Sequence, residues 1–223
     1  MATAKPKKSA VAAARKKQPP WLWIGTGGLV VVLALAAILS SSGGGDKKKQ
    51  VAAGVEETRP VTVTGTALAK FDPKGDDPAV GQAAPELKGQ SFDGKPVEIR
   101  NDGRAKLVLF VAHWCPHCQR EVPLLTDYLK SHSLPNGVDL YTVSTGVSAK
   151  SPNYPPSAWL DKEGWKAPVL ADSDKQEAAD AFGLSAFPYF VALDGSGKVV
   201  ARTSGEISTD DFVALAQKAL GNQ

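Results

Sequence analysis

Lys106-Leu107-Val108-Leu109-Phe110-Val111-Ala112-His113-Trp114-Cys115-Pro116-His117-Cys118-Gln119-Arg120-Glu121-Val122-Pro123 is the stretch on which the reading of the chain turns. The apolar run Leu107 to Ala112, bounded by Lys106 and His113, has the length and β-branched content of a buried central strand. The residues after it suit a helix whose first turn holds a Cys-x-x-Cys. Pro116 fits an opening helical position, because an amide hydrogen there has no intrahelical partner and the ring pre-sets the backbone angle. Cys115 then sits at the positive end of the helix dipole, where a thiolate is favoured, and His117 adds a second cationic or hydrogen-bonding influence. Cys118, one helical turn on, is near enough to close a small disulfide ring with Cys115.

The chain has no other cysteine. A purely structural disulfide across so short a loop removes little chain entropy and makes a poor staple. A zinc site would need two more ligands, for which only His113, His117 and His132 are available. Haem attachment requires His directly after the second cysteine, where Gln119 stands. A redox-active dithiol is the reading that uses all of the stretch.

Working outward, the 43% hydrophobic and 22% charged composition is that of a globular protein. The net charge of +3 is set by the first twenty residues, where Lys5, Lys7, Lys8, Arg15, Lys16 and Lys17 stand without an acid; removing these six from +3 leaves −3. The mildly acidic remainder gives no electrostatic case for nucleic-acid binding. Trp21 to Leu39 carries no charged residue and is about long enough to cross the ~30 Å hydrocarbon core as a helix. Trp21 and Trp23 lie at its basic end, and the upstream cations hold that end in the cytoplasm. The expectation is an uncleaved single-pass anchor with the rest of the chain outside. A signal peptide cleaved after Ala34-Leu35-Ala36 is the alternative, but the stretch exceeds the usual apolar core of about 7–15 residues. The expected organisation is a basic cytoplasmic tail over 1–20, a transmembrane helix over 21–39, a flexible linker with a short strand at Val61 to Thr64 over 40–78, and the catalytic domain over 79–223.

Within that domain Phe92-Asp93-Gly94-Lys95 reads as a turn into a strand at Pro96 to Ile99. The helix after Cys118 is expected to carry Leu124, Leu125, Tyr128 and Leu129 on one face and to bend at Pro123. Val138 to Thr145 reads as a strand, Ser151 to Ser157 as a proline-rich loop, and Ala158 to Glu163 as a short helix. A brief strand at Ala167 to Leu170 and a helix over Asp174 to Phe182 follow. Ala186 to Leu193 reads as a strand whose Pro188 suits only its entrance. Asp194 to Gly197 turns into a last strand, and Ser208 caps a final helix carrying Phe212, Val213, Leu215, Ala216 and Leu220.

A Cys-x-x-Cys at a strand-to-helix junction, with an X-Pro entering a later strand, resembles the thioredoxin superfamily. Val80-Gly81-Gln82-Ala83-Ala84-Pro85-Glu86-Leu87 is similar to the entry motif of redoxin domains. Trp114-Cys115-Pro116-His117-Cys118-Gln119-Arg120-Glu121-Val122-Pro123 resembles the Trp-Cys-x-x-Cys-x-x-Glu-x-Pro signature of TlpA-like and ResA-like membrane-anchored thiol-disulfide oxidoreductases. The resemblance covers about Val80 to Leu220 and implies an α/β thioredoxin-like fold, a central mixed sheet flanked by helices. It makes Cys115 the exposed nucleophile, Cys118 the resolving thiol, Pro188 a cis-proline beside the disulfide and Glu121 an acid near the dithiol. Trp114 and Phe187 would then form part of the substrate-docking surface.

Two departures stand out. Leu109 occupies the strand position where thioredoxin keeps a buried acid, and the Cys-Pro-His-Cys motif is that of the oxidant DsbA, although Glu121 and Pro123 point to the TlpA-like branch. Helix placement and His117 predict a dithiol more oxidising than thioredoxin's.

No cofactor is expected beyond the Cys115–Cys118 disulfide. The expected partners are exported cysteine-containing proteins and a membrane or extracytoplasmic redox partner. A copper or zinc chaperone using Cys115, Cys118 and a histidine is one alternative, and a thiol peroxidase is another. The Pro and Thr that a peroxidatic cysteine would carry ahead of it are missing before Cys115.

Overall fold

A computed structural model describes residues 54–221. The elements are β1 (Thr62–Thr64), β2 (Glu86–Gln90), β3 (Pro96–Ile99), β4 (Ala105–Val111), α1 (Pro116–Ser131), β5 (Val138–Ser144), α2 (Pro156–Lys162), β6 (Val169–Ala171), α3 (Glu177–Ala181), β7 (Tyr189–Leu193), β8 (Val199–Ser204) and α4 (Thr209–Ala219). The expected basic tail and transmembrane helix lie outside the described residues. Among the described residues no helix is long and apolar enough to cross a membrane.

The apolar run of the active-site stretch is β4, the middle strand of a five-stranded mixed sheet ordered β6-β5-β4-β7-β8. It pairs parallel with β5 and antiparallel with β7. All seven of its residues are buried, and from Leu107 onward the sequence runs continuously apolar instead of alternating because both faces are covered; the buried Lys106 carries its ammonium out to Asp102, 2.5 Å from Oδ1. The pleat then divides it. Leu107, Leu109 and Val111 face one core with Val122 and Leu125 of α1, Trp159 and Leu160 of α2, and Phe212 and Ala216 of α4. Val108 and Phe110 face the other core with Leu87, Ile99, Phe182 and Tyr189. A second, three-stranded antiparallel sheet, β1-β2-β3, supplies Leu87, Val97 and Ile99 to that core.

α1 runs from Pro116 through Pro123 to Ser131 and buries Cys118, Glu121, Val122 and Leu125, a helical stripe. Leu124, expected on that face, is 45% exposed. At about 100° per residue, Leu124 falls about 60° beyond Glu121, outside the stripe that the buried residues mark. Ser208 caps α4 as its position implies, its hydroxyl accepting from the Asp211 amide at 3.1 Å.

From Glu57 onward the segment read as flexible is part of the domain. Glu57 accepts from the Ser157 amide at 2.9 Å, at the start of α2. Arg59 is buried and donates to the Phe92 carbonyl at 2.8 Å. Leu68 and Phe71 lie in the core, their backbone amides donating to the carbonyls of Ala181 and Gly183, each at 2.9 Å. Gly183, at φ +69°, allows this crossing, since a Cβ there would fall 2.3 Å from the Ala69 carbonyl oxygen. The segment lacks a periodic apolar pattern because only isolated side chains anchor it.

Arg202 on β8 locks the same segment down. Its guanidinium forks onto Asp77, with Nε 2.8 Å from Oδ2 and Nη2 bonded to Oδ1. Nη1 donates to the Ala69 carbonyl at 2.8 Å and to the Tyr189 hydroxyl at 3.0 Å. An exposed pair such as Arg104–Asp139 contributes at most about 1 kcal/mol. Removing one partner of a buried pair costs about 3–5 kcal/mol, because the other charge is stranded. Asp77→Asn is therefore expected to lower unfolding free energy by about 3 kcal/mol at neutral pH, read by denaturant titration. The Arg202 hydrogen bond holds the Asp77 carboxyl below its ordinary value. This stabilisation is present above the unfolded pKa of about 4 and lost as pH falls below it, so the deficit should shrink in acid. A neutral-pH deficit below about 1 kcal/mol would rank the pair with surface bridges.

Candidate active site

The end of β4 and the start of α1 set the dithiol. Cys115 is the N-cap, with extended backbone at φ −74° and ψ 120°, and Pro116 begins the helix. Both cysteines are free thiols. Cys118 is wholly buried, and Cys115, expected to be exposed, is only 5% accessible. Cys115 is the more accessible of the two, but it too is buried. Cys115 Sγ lies 3.9 Å from the Phe187 carbonyl oxygen, and the Phe187–Pro188 bond is cis. The Trp114 and Phe187 rings meet edge to face at 5.8 Å, and Trp114 Nε1 donates to the Gly146 carbonyl at 2.7 Å. A groove of about 440 Å³ borders Trp114, lined also by Thr58, Gly146, Ser148, Asp174 and Gln176. A larger groove of about 820 Å³, between β8 and α4, is lined by neither cysteine.

Glu121 is 1% exposed on the same face of α1 as Cys118. Its one hydrogen-bond donor is the Ile207 amide, 3.2 Å from Oε2. Burial pushes its carboxyl up to about 7, against the pull of that amide, and the Glu206 charge adds to the rise. Burial also pushes the Cys118 thiol far above the ordinary thiol range, with the charges of Cys115 and Glu121 acting in the same direction. Leu109 is fully buried in β4, so the buried acid here comes from the helix and not from the strand.

The histidines separate. His117 is exposed, with Nδ1 2.6 Å from Glu206 Oε1. His113 is fully buried; its Nε2 accepts from the Ser148 amide at 3.1 Å, so Nδ1 carries the proton and donates to the Pro152 carbonyl at 2.7 Å. It braces the 148–153 loop. His132 stacks on Tyr128 at the end of α1. Trp159 and Trp165 are core residues. Among the described residues no group of three or more His, Cys, Asp or Glu side chains is placed to hold a metal ion.

The sequence gives no warning of the loop between β8 and α4. Gly205, Glu206 and Ile207 each touch a different part of the site: the Gly205 amide donates to the Pro188 carbonyl at 2.8 Å, Glu206 meets His117, and the Ile207 amide meets Glu121. Only the position of Glu206, two residues before the Ser208 cap, could have drawn notice.

A buried dithiol at a strand-to-helix junction, facing a cis-proline across a mixed sheet, defines a thioredoxin-fold thiol-disulfide oxidoreductase. The chain belongs to the AhpC/TSA family, whose model matches residues 80–202. It is 31% identical over 154 residues to a thiol:disulfide interchange protein DsbE homolog of Paracoccus denitrificans, covering 67% of this chain and 80% of that one. It is 23% identical to the thiol-disulfide oxidoreductase ResA of Bacillus thuringiensis, covering 62% and 78%. A thioredoxin-family thiol:disulfide interchange protein from Chlorobium tepidum superposes with a TM-score of 0.52 at 27% identity, covering 66% of this chain and 100% of that one.

A carboxyl raised on folding contributes stability below its unfolded pKa, and that contribution is lost as pH rises through the folded value. With Glu121 raised from 4.5 to about 7, Glu121→Gln should match the native protein near pH 4. It should then become more stable than native, by on the order of 2 kcal/mol, at pH 8. Denaturation midpoints at the two pH values measure this; a constant difference would mean that Glu121 titrates as an ordinary surface carboxylate.

Proposed function

We propose that this protein is a membrane-tethered, extracytoplasmic thiol-disulfide oxidoreductase that exchanges disulfides with exported proteins. The observation that carries the reading is the inequality of the two sulfurs. Cys115 lies at a helix N-terminus with its sulfur toward the backbone before Pro188, and Cys118 is sealed behind it on the face that carries Glu121.

The Cys115 thiolate attacks a substrate disulfide, forming a Cys115–substrate bond while the substrate bond breaks and one sulfur leaves as thiolate. Cys118 then gives its proton to the Glu121 carboxylate and attacks Cys115 Sγ. The mixed disulfide breaks, the second substrate thiolate leaves, and two electrons have passed from the dithiol to the substrate. The reverse sequence oxidises a substrate dithiol. A carboxyl near 7 suits both directions, because it is part ionised at neutral pH and can take or return the proton. A partner dithiol or disulfide of matching potential resets the site. The edge formed by Trp114 and Phe187, with the groove beside it, is the surface on which we seat the substrate chain. The anchor reading rests on the uncharged Trp21 to Leu39 stretch and its basic flank.

Cys115→Ser should abolish turnover of model disulfides, and Cys118→Ser should accumulate mixed disulfides through Cys115, seen as reducible adducts on non-reducing gels. Adducts on Cys115→Ser but not on Cys118→Ser would reverse the roles. Glu121→Gln should slow the second step about 10²-fold and remove an inflection near pH 7 from its rate. For topology, a reporter active only outside the cytoplasm should be active when fused after Gln223, with the protein resisting high-salt extraction; a soluble form trimmed near Ala37 would show cleavage instead.

A further inference from the structure

The side chains of His117, Arg120 and Glu206 meet beside the outer cysteine. Glu206 Oε1 lies 2.6 Å from His117 Nδ1. Arg120 Nε donates to both Glu206 oxygens at 3.0 Å, and Arg120 Nη2 to Oε1 at 2.5 Å. The same Nη2 stands 3.0 Å from His117 Nδ1. His117 and Arg120 come from the first two turns of α1. Glu206 comes from the other side of the site, on the loop whose flanking amides hold the Pro188 carbonyl and Glu121. Gly205, at φ +91°, makes the turn that brings it there.

We infer that Glu206 is a positioning residue that holds His117 against Arg120 and, by its negative charge, lowers the reduction potential of the Cys115–Cys118 pair below what its Cys-Pro-His-Cys motif would give alone. A dithiol is a stronger oxidant the better its reduced, thiolate form is stabilised. Cations near Cys115 stabilise that thiolate. Glu206 removes one unit of positive field from them, and the sign does not depend on the protonation of His117. With His117 neutral the trio carries 0 and becomes +1 without Glu206; with His117 charged it goes from +1 to +2. The trio is close enough to count electrostatically. Arg120 is held above its ordinary value first by Glu206 and more weakly by the Cys115 charge. Arg120 and then His117 in turn hold the Glu206 carboxyl down at about 2, so it is ionised at working pH.

The inference rests on the dithiol activity proposed above and is tested on the equilibrium in which the protein disulfide and two glutathione thiols give the protein dithiol and glutathione disulfide. Glu206→Gln, which keeps the side chain's shape, should raise that equilibrium constant about tenfold, which is about 30 mV for this two-electron couple. Arg120→Gln should lower it, and the double variant should return toward the native value. All three side chains are partly exposed, so both shifts should shrink in 1 M salt, where the screening length falls to about 3 Å. Glu206→Asp should keep most of the native value. Unchanged constants in both single variants, or shifts of the same sign in both, would overturn the inference and leave Glu206 a tether only. Failure of the native dithiol to equilibrate with glutathione at all would instead overturn the activity itself.

Discussion

The double burial of β4 is the constraint on which the rest of the molecule depends. A strand covered on both faces favours apolar side chains along its middle, needs partners on both edges, and delivers polar chemistry from its ends, here above all its C-terminal one. β5 and β7 take the edges, the two cores take the faces, and the chain leaves β4 into the turn before α1. The dithiol sits there because the helix it opens must pack on the same sheet, through Val122 and Leu125 against Leu107 and Leu109. The Cys115 sulfur is therefore fixed relative to β7 and its entering Pro188 without any contact designed for that purpose alone.

Much of this was legible in the sequence because it depends on local pattern. The Leu107 to Ala112 run, Pro116, the Phe92 to Lys95 turn and the Ser208 cap each announce themselves within a few residues, and the elements formed where those signals stand. What stayed hidden depends on contacts between distant parts of the chain. Leu68 and Phe71 stand in a stretch that forms neither strand nor helix, and nothing nearby shows that Gly183 leaves room for the chain to cross. Arg202 looks like a surface cation on a last strand until Asp77 is brought to it from 125 residues away. Glu206 is likewise an ordinary loop glutamate until α1 presents His117 and Arg120. The exposure of Leu124 is a different case, since the 3.6-residue period carries it past the Glu121 edge of the buried stripe.

Two carboxyls, both raised by burial, differ in how many donors they receive. Asp172 is fully buried and accepts from the Thr145 hydroxyl and from the amides of Ser173, Ala178 and Ala179, all within 3.2 Å. Burial pushes its carboxyl up, and four donors draw it back. Asp172 has a structural role, because its loss would strand those four donors. Glu121 is buried as deeply but has a single amide, from Ile207. Too few donors to hold the charge and too little water to solvate it leave the carboxyl near neutrality, which is the condition a proton carrier needs.

The placement of Glu121 also explains how Leu109 can stand in the central strand. An acid in β4 would lie between two cores, and its charge would have to be satisfied inside the sheet. Moved onto α1, the acid faces the β8–α4 loop, whose backbone can approach it and whose sequence is free of ladder constraints. That loop thereby touches the cis-proline, the buried acid and the histidine of the dithiol through three consecutive residues. The groups to which we assign proton handling and thiolate stabilisation, close together on α1, are thus both met in the fold by a segment more than eighty residues further on.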